Sequence, residues 1–389
     1  MKLKDVLDGC LFADGDWIES KDQDPNGKIR LIQLADIGDG FFVDKSSRFI
    51  NRETAKRLRC TFLKKGDILI ARMPDPLGRA CVFPLEENEK YVTAVDVCII
   101  RTNENCNNRY LQYCLNSTDI RNSIERQKTG TTRERITRKK LGELEIPLPP
   151  LPQQQKIANI LDAADALRQN DKALIAKYDE LTQALFLDMF GDPVSNPKGW
   201  EKVMLGDISK ISSGSTPSRE NDSYYVGEIP WVKTGEVNGK VIYNTSEKIS
   251  EEALTNSSCK LYPKGSLIIA MYGQGKTRGQ IGMLGIDATT NQACGVIPPS
   301  DKMNFNFLFQ LLQLNYEDLR SLGRGGNQPN LNSALLKSYE VINPSINLQN
   351  EFAERVAVIE EQKAIAQKSL EQSERLFNSL LQKAFKGEL

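Results

Sequence analysis

The residues most suggestive of chemistry lie in Ala270-Met271-Tyr272-Gly273-Gln274-Gly275-Lys276-Thr277. A glycine-rich turn and a Lys-Thr pair follow the apolar run Leu267-Ile268-Ile269-Ala270, the spacing of a phosphate-binding loop with alanine in place of its first glycine. Such a loop needs a helix starting at Lys-Thr, whose N-terminus holds the phosphate. The continuation, Arg278-Gly279-Gln280-Ile281-Gly282-Met283-Leu284-Gly285, carries glycine at every third position. Each interior glycine costs a helix about 1 kcal/mol, so a strand or loop is predicted and nucleotide binding is not. Tyr272, Gln274, Lys276, Thr277 and Arg278 on a glycine-rich loop suit another task, contact with the phosphodiester backbone or base edges of DNA.

Other stretches offer the same equipment. Residues 121–140 hold eight basic side chains and two acidic ones around Gly130-Thr131-Thr132. Lys128, Thr131, Thr132, Arg133 and Arg135 are candidate phosphate contacts there. Arg324, Asn327, Gln328 and Asn330 form a second glycine-bearing basic loop whose amides are able to read adenine edges. Ser215, Thr216 and Ser218 form a small-residue hydroxyl loop, and Asn291 and Gln292 follow a predicted strand. Arg72, in Arg72-Met73-Pro74-Asp75-Pro76, is a further candidate. For the basic loops the plain alternative is a solvated surface, and for 212–218 it is turn chemistry.

The chain contains no histidine, which removes Ser-His-Asp and Cys-His nucleophile chemistry and the usual zinc ligand sets. Its eight cysteines form no CxxC pair and read as reduced structural thiols. No methyltransferase-type Asn-Pro-Pro-aromatic loop occurs, so neither a catalytic centre, a metal nor a cofactor is expected. The 51 basic and 51 acidic residues cancel, so a nucleic-acid partner is announced only locally. Without a signal-like N-terminus or an apolar run of roughly 18 residues, a cytoplasmic location is expected.

These loops must be positioned, and the chain repeats its own framework. Leu3-Lys4-Asp5-Val6 matches Leu205-Gly206-Asp207-Ile208, and residues 29–37 match 229–237. Residues 65–71 match 264–270, Tyr110-Leu111 matches Phe307-Leu308, and 146–154 match 341–349. The order is kept throughout, with only short insertions. After each proline-bounded connector the apolar spacing changes to alternating threes and fours. It runs through Ile157, Ile160, Ala164, Leu167, Asp171, Leu174, Tyr178, Leu181 and Leu185, then through Phe352, Val356, Ile359, Lys363, Ala366, Leu370, Ser373, Phe377, Leu380 and Ala384. That is the seam of two long helices able to pack on each other, although ordinary amphipathic core helices give the same spacing. The predicted fold is α+β. Two mixed α/β domains, 1–150 and 193–346, alternate with long helices at 151–192 and 347–389 as an internal pseudo-twofold repeat, the helices forming an antiparallel coiled coil.

Several segments in this order resemble the DNA-specificity subunit of type I restriction-modification enzymes. They are Pro149-Pro150-Leu151-Pro152-Gln153-Gln154-Gln155-Lys156-Ile157-Ala158 opening the first helix and Met189-Phe190-Gly191-Asp192-Pro193 closing it. Gly214-Ser215-Thr216-Pro217-Ser218, Ile229-Pro230-Trp231, Thr277-Arg278-Gly279 and Thr290-Asn291-Gln292 follow in the second half. The resemblance implies two target-recognition domains reading a split site on double-stranded DNA, with a helical spacer fixing the gap. It also implies docking of two methyltransferase subunits and, in some assemblies, motor-nuclease subunits. The first half departs from the second where the glycine-rich loop should be, so its base contacts are harder to assign. Two other readings compete: a self-sufficient methyltransferase or NTPase, motivated by Gly275-Lys276-Thr277, and a coiled-coil scaffold without sequence-dependent DNA binding.

Overall fold

The computed structural model describes residues 1–86, 88–323 and 330–389. It divides into two units, residues 1–172 with 368–389, and residues 173–367. Each unit therefore takes half of both long helices.

In the first unit, α1 (Leu3–Val6), β1 (Leu11–Asp14), β2 (Ile29–Ile32), β3 (Phe49–Ile50), α2 (Arg52–Arg57), β4 (Ile68–Ala71), β5 (Ala80–Val82), β6 (Tyr91–Thr93), β7 (Val97–Arg101), α3 (Asn108–Leu115), α4 (Thr118–Gln127) and α5 (Arg138–Gly142) precede the long helix α6 (Leu151–Phe190). An antiparallel sheet runs β1-β7-β4-β5, and a smaller one runs β3-β2-β6. Gly66, at φ +92°, turns the chain into β4. All four residues of β4 are buried because both faces are covered. Ile68 and Ile70 pack with α3 and α4, while Leu69 and Ala71 face Phe83, Tyr91 and Ile99.

The second unit repeats this plan through β8 (Lys202–Met204), α7 (Leu205–Ile208), β9 (Ser212–Ser213), β10 (Ile229–Val232), β11 (Val241–Ile242), β12 (Glu247–Ile249), α8 (Glu251–Asn256), β13 (Leu267–Ala270), β14 (Ile281–Leu284), β15 (Thr289–Thr290), β16 (Cys294–Ile297), α9 (Phe305–Leu314), α10 (Tyr316–Ser321), α11 (Ser333–Lys337) and β17 (Glu340–Ile342), closing with α12 (Ile346–Lys386). Its sheets run β11-β14-β13-β16-β9, β12-β10-β15 and β17-β8. The paired sequence segments thus become paired elements: α1 with α7, β2 with β10, β4 with β13, and α3 with α9.

The glutamine after each proline connector explains why that segment recurs. Gln154 Oε1 accepts the Asn107 N–H at 2.9 Å, and its amide donates to the Pro149 carbonyl at 2.9 Å. Gln349 does the same with Asn304 at 2.9 Å and Pro344 at 2.8 Å. Both side chains are buried. One group thereby ties a long helix to the start of α3 or α9.

Within each unit the halves of the long helices lie antiparallel. In the first, Asp171 accepts from Ser369 Oγ at 3.0 Å and Ser373 Oγ at 2.7 Å, and Lys172 meets Glu374 at 3.4 Å. In the second, Lys363 pairs with Asp179. Every predicted seam residue of α12 is buried or half-buried. On α6 the seam departs from prediction. Leu161, Arg168, Ile175 and Thr182 turn inward, whereas Leu167, Leu174 and Leu181 are 53%, 41% and 50% exposed. Polar partners set this phase. Arg168 lies over the Phe377 ring and pairs with Asp165, so the inward side needs no leucine there.

Candidate nucleic-acid interface

In the second unit the candidate residues gather where β9 and β13 end and β16 begins in the five-stranded sheet, beside the end of β15 in the three-stranded one. β13 ends at Ala270, opposite Cys294 of β16, and Ser213 of β9 pairs with Gly295. The chain leaves β9 through Gly214, which donates to the Cys294 carbonyl at 3.0 Å. Ser215 then donates to the Thr290 carbonyl at 2.9 Å, and the Asn291 N–H to the Val232 carbonyl at 2.9 Å. A Cβ at residue 214 would overlap the Thr290 carbonyl, so this close crossing requires glycine. The Thr216 hydroxyl donates to Gln292 Oε1, and Asn291 Oδ1 accepts from the Ala293 N–H at 3.2 Å. Ser218 lies exposed farther along.

The neighbouring loop, 271–280, joins β13 to β14 and opens no helix. Gly273 and Gly275 sit at φ +149° and +58°. These tight turns push Tyr272, Gln274 and Lys276 into solvent, with Thr277 and Arg278 half-buried behind them. The Tyr316 hydroxyl donates to the Lys276 carbonyl at 2.7 Å, so the loop is fastened to α10. Leu331 donates to the Met271 carbonyl at 3.0 Å, which brings half-buried Asn330 to the same site. Arg324, Asn327 and Gln328 lie outside the described residues.

Sequence reasoning missed the support beneath the hydroxyl loop. Trp231 is buried, its indole N–H donating to the Ser215 carbonyl at 3.0 Å, and the Tyr225 hydroxyl donates to Pro217 O at 2.7 Å. The Arg219 guanidinium lies 4.1 Å from the Tyr225 ring centre and 5.1 Å from that of Trp231. Glu247 pairs with Arg219 at 2.8 Å and Lys233 at 2.6 Å, and these cations hold its carboxyl below the usual range.

The first unit builds the corresponding site around a knot of three chain segments. Arg72 follows β4, and its carbonyl accepts the Ile136 N–H at 3.0 Å. Its guanidinium donates to the Ile136 carbonyl at 3.1 Å and to Asp14, which also meets Arg138 at 3.3 Å. Contrary to expectation, then, Arg72 is buried and committed inward. Arg79, also buried, is used likewise on the carbonyls of Leu34, Ile37, Met73 and Pro76.

From this knot rises a short hairpin, Thr129 and Arg135 exchanging backbone hydrogen bonds of 2.9 Å each way. Thr131, Thr132, Arg133 and Arg135 are exposed, and neither arginine has an ion-pair partner among the described residues. Lys128 is neutralised by Glu125 at 3.0 Å and Glu134 at 2.9 Å. Arg121 is spent on Asp39 and the Leu77 carbonyl, so the segment's free positive charge is smaller than its composition suggests.

The crossing of β1 repeats that of β9. Gly15 donates to the Val97 carbonyl at 2.7 Å and Asp16 to the Thr93 carbonyl at 2.8 Å. The Asp16 carboxylate accepts the Thr61 N–H at 3.0 Å, and burial pushes its pKa up to about 6. All eight cysteines are free thiols. No metal-binding group of His, Cys, Asp and Glu occurs among the described residues, and no described helix is long and apolar enough to cross a membrane.

The sequence pattern of the type I restriction modification DNA specificity domain matches residues 1–177 and again 197–375. The chain belongs to this specificity family. The MjaIX type I restriction enzyme specificity subunit of Methanocaldococcus jannaschii is 24% identical over 93% of this chain and 87% of its own length. The HindI specificity subunit of Haemophilus influenzae is 29% identical over 42% of this chain and 36% of its own. In fold, the specificity-family chain is similar to the type I system S subunit from M. genitalium, with TM-score 0.56 and 17% identity, covering 99% of this chain and 95% of that one. A chain solved in a study of type I complex assembly and conformational transition gives TM-score 0.58 at 18% identity, covering all of this chain and 97% of that one.

Proposed function

We propose that this specificity-family chain is the non-catalytic DNA-reading subunit of a type I restriction-modification complex, with each unit reading one half of a split target. The observation that carries the reading is the duplicated site at which loops from separate strands converge, in a chain matched twice by the specificity domain. In the second unit Tyr272, Gln274, Lys276, Thr277 and Arg278, with Thr216, Ser218, Asn291, Gln292 and Asn330, face the DNA. In the first unit Thr131, Thr132, Arg133 and Arg135 supply phosphate contacts. Arg72 acts beneath them as an anchor.

Methyl transfer and cleavage belong to the partner subunits. The long helices set the gap between half-sites, and α6, with 40 residues, is about 60 Å long. Leu174 and Leu181 on α6 and Val358 and Ile365 on α12, all exposed at heptad spacing, offer apolar seats for methyltransferase subunits. Methylome sequencing of a host given this chain with its cognate methyltransferase tests the proposal. A split methylated motif is expected, and a continuous one, or methylation by this chain alone, would refute it.

A further inference from the structure

The first unit lacks the second's main reading device. Where 271–280 presents Tyr272, Gln274 and Lys276, the matching loop after β4 exposes only Pro74, Asp75 and Pro76 at its tip. The prolines carry no N–H, and both arginines flanking that tip are turned inward. Asp75 alone of that tip offers a polar side chain to a base edge, so the first unit needs a further reader.

The matched hydrogen bonds of the two crossings identify it. Gly15 and Asp16 repeat the bonds of Gly214 and Ser215, so Trp17 stands where the second unit has Thr216. Its side chain is 69% exposed, although tryptophan is normally well buried. The fold does not require it there. Under the equivalent loop of the second unit the packing residue is Trp231, and at the matching position of β2 the first unit buries Leu31 instead. Nor is the loop slack. The Trp17 indole N–H donates to Glu19 Oε1 at 3.2 Å, the Glu19 N–H is received by Asp22 at 3.1 Å, and Asp22 accepts from Arg57 at 2.6 Å. Asp14, three residues before Trp17, is bound to Arg72 and Arg138 in the knot that also bears the Arg133 hairpin. Trp17 thus follows by three residues the same Asp14 anchor from whose partners the hairpin of Arg133 and Arg135 rises.

We propose that Trp17 is a specificity-determining residue of the first unit, making an apolar contact with base edges, thymine methyl groups above all, in the groove of its half-site. The inference rests on the DNA-reading function above. Arg133 and Arg135 hold phosphates while Trp17 discriminates bases, so the first half-site is read by apolar contact and the second chiefly by polar groups.

The test uses the full chain assembled with its methyltransferase subunits and synthetic duplexes carrying the methylated motif. Trp231 is buried and Trp200 half-buried, so Trp17 is the tryptophan open to contact. Specific duplex should quench tryptophan emission in the wild type and lose most of that effect in W17F. W17A should weaken binding roughly tenfold and relax base preference in one half of the motif only, with W17F intermediate. Unchanged thermal unfolding of both variants verifies that the fold persists. Wild-type affinity and base preference in W17A, with quenching kept in W17F, would overturn the Trp17 assignment alone. Failure of the wild-type complex to distinguish specific from random duplex would overturn the DNA-reading function beneath it.

Discussion

Lys276 and Gln274 owe their exposure to the glycines beside them, and their chemistry separates in experiment. A lysine on phosphate contributes affinity without sequence information, so Lys276→Ala should weaken all duplexes alike and reduce the salt slope by about one. Gln274→Ala should instead alter base preference in the second half-site, measured by competition among duplex variants. Asp16 offers a residue-scale prediction of another kind. Its folded pKa of about 6 lies above the ordinary 3.8, so the fold favours the protonated acid. Its contribution to stability is present in full below pH 3.8 and is lost as pH rises through 6. Asp16→Asn should therefore raise the unfolding free energy more at pH 7.5 than at pH 4.5, by about 2 kcal/mol, because at about 1.4 kcal/mol per pKa unit part of the loss is already incurred at pH 4.5. Equal gains at both pH values would remove the buried-acid account. Exposed loop residues such as Lys276 were legible in the sequence because a glycine-rich turn has nowhere to hide them. Arg72 was not, because its partner Asp14 lies 58 residues away and a string of letters shows a cation without its counter-ion.

At the scale of elements, the duplicated glutamine is the clearest case of a motif with a mechanical reason. Gln154 and Gln349 each satisfy a backbone N–H and a carbonyl that are half-buried, or in the case of the Pro344 carbonyl fully buried. Replacing either with leucine keeps the volume and strands both groups. Each of Gln154→Leu and Gln349→Leu should cost about 2–4 kcal/mol in denaturant unfolding, at 1–3 kcal/mol per orphaned group with partial relaxation. A loss within 0.5 kcal/mol of wild type would mean that water or a shifted helix takes over the bonds. The repeat itself was readable because paired elements keep their order and their turn residues. The α6 seam was half readable, for a physical reason. Spacing arguments favour leucines, but Asp171 with Ser369 and Ser373, and Arg168 over Phe377, place polar residues in the seam and leave Leu167, Leu174 and Leu181 outside.

For the whole molecule, the proposed function gives the helices and the gap between half-sites one length scale. An insertion of seven residues preserves the heptad phase of the seam, whereas four would rotate one stretch against its partner. Seven residues in both α6 and α12, placed where the two units divide, lengthen each helix by about 10 Å at 1.5 Å per residue. At 3.4 Å per base pair that is about three base pairs of duplex. The methylated motif of such a variant should keep both half-sites and gain about three base pairs between them, as read by methylome sequencing. Retained half-sites with the original gap would show that spacing is imposed by the partner subunits. Loss of one half-site would show that the inserted turns disturb the loops themselves. Glutamate at Leu174 and Leu181 supplies the complementary case: as these side chains are solvent-exposed, the change should leave unfolding within about 0.5 kcal/mol of wild type. If methyltransferase subunits seat on that face, co-purification falls while the recognised motif of the residual complex, and its gap, stay the same.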